Sequence, residues 1–144
     1  MGNEGPIIII EDDQDDQNLI AEIFRRLKYK NEVVFFKDGY LALDYLSKPE
    51  VQPFLILSDV NMPKMNGFEL RAKIVADEEL RMKCIPYIFF TSAVDKKVLT
   101  EAYAMSVQGF FLKPNSFKEL ESTIKYIVEY WKICFAPSHY EHSL

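Results

Sequence analysis

The chain is poor in the residues that build stapled, fibrous or membrane-spanning proteins. It has two cysteines, Cys84 and Cys134, and neither lies at a metal-ligand or redox spacing. With no secretory signal they read as reduced thiols, and the expected location is the cytoplasm. The longest purely aliphatic run is Ile7–Ile10. That is too short to cross a bilayer or to form a signal-peptide core, so no membrane contact is expected. Positive charge is not in excess. The net charge is −5 and no basic stripe occurs, which makes nucleic acid and anionic lipid poor partners. Linkers, low-complexity tracts and internal sequence repeats are also missing.

What is present is a large apolar inventory. Of 144 residues, 49% are hydrophobic and 14% aromatic, enough for one core without metals or disulfides as staples. Ile7–Ile10, four β-branched residues in a row, suits a central strand buried on both faces. Leu19, Ile20, Ile23, Phe24 and Leu27 then recur at helical spacing, with Asp15 and Asp16 at the start of that helix, where acids complement its dipole. The alternation continues. Strands are expected at Glu32–Phe36, Phe54–Ser58, Pro86–Phe90 and Gly109–Leu112. Helices are expected around Leu41–Leu46, over Phe68–Ala76 and Asp95–Met105, and from Phe117 to Trp131. Asp77–Lys83 reads as a polar connection. Five strands alternating with five helices predict an α/β fold with a doubly wound parallel sheet. The expected organisation is a disordered start at 1–5, one folded domain at 6–132 and a tail at 133–144, with no room for a second domain.

Parallel βα units place the loop after every strand at one edge of the sheet, and ligands bind there near the topological switch point. In the order 2-1-3-4-5 that point lies between strands one and three. Those strands are followed by Glu11-Asp12 and by Asp59. Three carboxylates meeting there repel one another, and a hard divalent cation such as Mg²⁺ relieves the conflict. A backbone carbonyl just after Asp59, that of Asn61, is the expected further ligand. Taken alone, Glu11-Asp12 also fits helix capping, and Asp13, Asp15 and Asp16 are assigned only that role. Two more strand ends face the same edge. Thr91 carries a hydroxyl able to donate to a phosphoryl oxygen. Lys113 carries a compact positive charge suited to phosphate or carboxylate. Separately, each fits an ordinary strand or surface residue; their convergence on the acids favours function.

At this point four motifs stand in order: Glu11-Asp12-Asp13 after Ile10, Ser58-Asp59-Val60-Asn61-Met62-Pro63-Lys64-Met65-Asn66-Gly67, Phe90-Thr91-Ser92-Ala93, and Phe111-Leu112-Lys113-Pro114. The chain resembles the receiver domains of two-component response regulators from roughly Pro6 to Trp131. The resemblance implies the flavodoxin-like receiver fold. It implies that Asp59 accepts a phosphoryl group from a sensor histidine kinase or a histidine phosphotransfer protein. It gives Glu11 and Asp12, with Asp59 and the Asn61 carbonyl, to Mg²⁺ or Mn²⁺. Aligning the first acid after Ile10 favours that pair over Asp12-Asp13. Thr91 and Lys113 match the residues that engage the phosphoryl group, and Phe110 matches a ring that turns inward on activation. Asn61 and Ala93 match positions that tune dephosphorylation. The implied output is a changed surface for a separate effector protein, from a monomer or weak dimer.

Three rival functions fit the sequence less well. An Asp-nucleophile phosphatase uses a second aspartate two residues after the first, where this chain has Asn61, so multiple-turnover catalysis is not expected. A flavodoxin-like cofactor binder needs a Gly/Ser/Thr-rich loop after strand one, where Glu11-Asp12-Asp13 would repel phosphate. A receiver-like module that only binds proteins is disfavoured by the intact set of site residues. Elsewhere, Glu121 and Lys125 are spaced as a surface pair. Tyr126 and Tyr130 are expected to lie partly over the core, a contact patch being the less favoured reading. His139 and His142 are assigned no metal and no catalysis.

Overall fold

The structure, a computed structural model, describes residues 4–92 and 94–137. Five parallel strands form one sheet in the order β2-β1-β3-β4-β5. They are β1 (Ile7–Ile10), β2 (Val33–Phe36), β3 (Leu55–Ser58), β4 (Tyr87–Thr91) and β5 (Gly109–Leu112). The helices are α1 (Gln14–Leu27), α2 (Gly39–Leu46), α3 (Gly67–Ala76), α4 (Glu78–Arg81), α5 (Lys96–Ala104) and α6 (Phe117–Ile133). The expected doubly wound α/β fold and strand order are therefore present.

Side chains alternate across a pleated strand, so each central strand feeds two cores. Ile8, Ile10 and Ile56 point to one side, against Ala42 and Leu46 of α2, Leu70 and Ile74 of α3, and Ala102 of α5. Ile7, Ile9, Leu55 and Leu57 point to the other, against Ile20, Ile23 and Phe24 of α1 and Leu120, Ile124 and Ile127 of α6. Residues of β1 pair with both β2 and β3, register Ile10 with Phe36 and Ser58, and so bring the ends of β1 and β3 level. That register places the segments after Ile10 and Ser58 side by side.

The five expected helices are present, and a sixth, one-turn helix adds to them. α4 is one turn inside the stretch read as a polar connection. Asp77 caps it, its Oδ1 accepting from Leu80 N at 3.1 Å, and Leu80 is buried. A single apolar residue in four has no periodicity to detect. Two surface expectations also change. Glu121 pairs across helices with Arg26 Nε at 2.6 Å rather than along its own helix with Lys125. Tyr126 and Tyr130 stand out from the core, 72% and 61% exposed, Tyr130 meeting Trp131 edge-on. Residues 1–3, Ala93, His139 and His142 lie outside the described residues. Among the described residues no helix is long and apolar enough to cross a membrane.

Candidate functional site

Each site residue is delivered by a strand end. Glu11 follows β1, and its backbone N–H continues the ladder to Phe36 O at 2.9 Å. Its carboxylate is buried, with Oε2 accepting from Asp13 N at 3.0 Å. The Gln17 side chain, one turn into α1, donates to the Glu11 carbonyl at 2.6 Å. Asp12 is exposed, and Asp13 caps α1, accepting from Asp16 N. Asp59 follows β3 and is also buried, its N–H bonded to Ile10 O at 3.0 Å. One carboxylate oxygen from each of Glu11, Asp12 and Asp59 lies within 4.8 Å of the others.

The two oxygens of Asp59 are unequally held. Oδ1 accepts from Val60 N at 2.7 Å, from Asn61 N at 3.3 Å and from the Thr91 hydroxyl at 2.7 Å. Among the described residues Oδ2 meets only the Lys113 ammonium, at the long distance of 3.4 Å. Thr91 is the last residue of β4 rather than the first after it, pairs in register with Leu112, and is buried. Lys113 follows β5, its N–H bonded to Thr91 O at 2.8 Å, and its ammonium reaches Glu11 Oε1, Asp16 Oδ2 and Asp59 Oδ2.

The loop under Asp59 is clamped from below. Gly67 N donates to Val60 O at 2.8 Å, and the Tyr87 hydroxyl lies 3.0 Å from both the Ser58 hydroxyl and the Gly67 carbonyl. A Cβ at Gly67 would stand 2.4 Å from the Asp59 carbonyl oxygen and 2.7 Å from the Phe89 ring, so only glycine permits this approach. Phe110, on β5, is half-buried, its ring 5.9 Å from that of Phe89.

The electrostatics follow from crowding. Burial pushes the Glu11 carboxyl up, to about 7, against the opposing pull of Lys113. Burial pushes Lys113 down, but Glu11, Asp59 and Asp16 outweigh it and hold the ammonium charged above its ordinary range. The two directions agree physically: one ammonium shared among several carboxylates does not fully offset the burial of Glu11. The donor set is all oxygen and anionic, and among the described residues the only cation touching it is Lys113. That chemistry fits a hard divalent ion.

Sequence reasoning assigned Asp16 to the helix dipole alone and did not single out Gln17, Ser58 or Tyr87. The acids of a first helical turn already have a local explanation, so nothing along the chain marked Asp16 as a partner of Lys113.

The family model described as the response regulator receiver domain matches residues 7–125. The chain belongs to that family. Receiver domains are the signalling phosphoacceptors of two-component systems. The chain is 34% identical over 129 residues to the probable methanogenesis regulatory protein FilR2 of Methanothrix harundinacea, covering 87% of this chain and 82% of that one. It is 27% identical over 130 residues to response regulator Rcp1 of Synechocystis sp., covering 87% of each. The Mn²⁺-bound form of Rcp1 superposes with a TM-score of 0.79 at 25% identity, over 92% of this chain and 97% of that one. The phosphorylated cyanobacterial phytochrome response regulator RcpA superposes with a TM-score of 0.83 at 28% identity, over 93% and 99%.

Proposed function

We propose that Asp59 accepts a phosphoryl group from a sensor histidine kinase or a histidine phosphotransfer protein. The observation that carries this reading is the unequal holding of its two oxygens. Three donors fix Oδ1 and so orient the carboxylate, while Oδ2 keeps lone pairs for attack on phosphorus. In the transfer, the Oδ2–P bond forms as the phosphorus–nitrogen bond of the donor breaks, and the electron pair leaves with the imidazole. Such transfers depend on positioning and charge stabilisation more than on covalent help from the protein.

Lys113 supplies one positive charge beside the reacting oxygen. The Thr91 hydroxyl, now on Oδ1, is placed to donate to a phosphoryl oxygen instead. Glu11, Asp12 and Asp59, with the Asn61 carbonyl, would hold Mg²⁺ or Mn²⁺. When bound there, the ion would offset carboxylate repulsion and stabilise charge on the transferring group. The Mn²⁺-bound relative and the three converging carboxylates support this assignment.

Phosphorylation adds about −1.5 to −2 charges to a site already crowded with acids. In this reading Thr91 moves toward the new group and the Phe110 ring turns inward, so that α5 and β5 present a different surface to an effector protein. In this reading the 6–132 unit is a phosphorylation switch and not a multiple-turnover enzyme. Its partners are proteins rather than nucleic acid or membrane, and it works as a monomer or weak dimer in the cytoplasm.

The test is incubation with acetyl phosphate and Mg²⁺, followed by intact mass, beside Asp59→Asn. The expected result is a phosphate-sized gain that needs both Mg²⁺ and Asp59. A gain that survives Asp59→Asn would refute the assignment.

A further inference from the structure

Asp16 touches Lys113 without belonging to the converging triad. Its Oδ2 lies 3.0 Å from the Lys113 ammonium, and its side chain is 37% exposed. Its neighbour Asp15 also stands in the first turn of α1, with the same relation to the helix dipole. Among the described residues Asp15 makes no ion pair with Lys113. The two aspartates therefore separate a dipole role, which both share, from a lysine role that belongs to Asp16.

The charge count gives that role a purpose. Lys113 is held by Glu11, Asp16 and Asp59. Glu11 and Asp59 also belong to the set placed to hold a divalent ion. Once those two are committed to a dication, the ammonium loses most of its attraction to them and faces a like charge nearby. Asp16 alone among its three partners stays available. We propose that Asp16 is a positioning residue that keeps the Lys113 ammonium at the site while the neighbouring carboxylates hold a divalent cation. The proposal rests on the metal assignment made above.

The consequence is a coupling between Asp16 and Lys113 in metal affinity. With Asp16 neutral, the ammonium turns to Glu11 and Asp59 and competes with the metal for them. Calorimetric titration of Mg²⁺ into the full chain would read this in wild type, Asp16→Asn, Asp15→Asn, Lys113→Met and the double variant Asp16→Asn/Lys113→Met. Asp16→Asn is expected to weaken Mg²⁺ binding about tenfold, as loss of an outer-sphere partner does. Asp15→Asn should weaken it about twofold at most, as expected for a screened surface charge. In the Lys113→Met background the effect of Asp16→Asn should shrink to that of Asp15→Asn, because no ammonium is left to compete. Equal losses for Asp15→Asn and Asp16→Asn, or an undiminished Asp16 effect without Lys113, would overturn the proposal and leave the metal assignment standing. No Mg²⁺ binding by the wild type would overturn both.

Discussion

The two edges of the sheet handle charge in opposite ways. At the carboxyl edge the helices begin, and polar side chains cap them: Asp13 on α1, Asp38 on α2, Asn66 on α3, Asp95 on α5 and Ser116 on α6. Beyond these caps the edge carries a surplus of carboxylates gathered around one lysine. At the amino edge helices end, and cations meet their carbonyls directly. The Lys83 ammonium bonds to Leu46 O, Lys48 O and Val51 O at 2.6–2.8 Å, closing the end of α2. The Arg71 guanidinium bonds to Met105 O and Ser106 O at the end of α5 and lies over the Tyr87 ring. Helix dipoles explain both patterns, since N-termini favour anions and C-termini favour cations. The amino edge balances its charges with its own residues. The carboxyl edge does not, and its surplus of negative charge favours a cation from outside.

Substitutions at the two edges should therefore act with opposite sign on stability. Arg71→Ala has the largest expected effect. It strips charged donors from two carbonyls and leaves space beside Tyr87, a loss of about 2–3 kcal/mol in urea unfolding. An effect under about 0.5 kcal/mol, the range of ordinary surface changes, would break the comparison.

The next effect is one of pH on metal binding. Burial raises Glu11 to about 7, so below that value the metal must displace a proton from it. Mg²⁺ affinity should fall as pH drops through 7, by up to about tenfold per unit, and level off above it. For the metal-free chain the sign is reversed. A carboxyl held above its ordinary range in the folded chain means that Glu11 favours folding most at low pH and loses that contribution as pH rises toward 7. Titrations at pH 6 and 8, with and without Mg²⁺, check both signs.

Asp12→Asn has the smallest expected effect and sharpens the contrast most. Asp12 is exposed and contributes repulsion to the metal-free triad. Its neutralisation should raise metal-free stability by about 0.5 kcal/mol, within the range of exposed charge interactions, while weakening Mg²⁺ binding. A destabilised Asp12→Asn chain would show that the site is not built against stability.

Much of this was legible along the chain. The β-branched run Ile7–Ile10 and the apolar stripe of α6 carry unambiguous periods, and acids or polar groups directly after strands mark the working edge. α4 was not legible, because one buried leucine makes no pattern. The partner of Glu121 was misread, because i, i+4 spacing competes with a cross-helix Arg26 that sequence distance hides. The spacing of Tyr126 and Tyr130 predicts rings lying partly over the core, but the apolar stripe of α6 already fills that face.

By itself the sequence determined the alternation of strands and helices, the caps that start the helices, and the residues that reach the carboxyl edge. Local periodicity and turn chemistry encode those. Only the tertiary structure decided that Lys113 meets Glu11 and Asp16, that Thr91 holds Asp59 Oδ1, and that burial raises Glu11. Those outcomes depend on strand order, register and packing, which bring together groups that no local pattern along the chain connects.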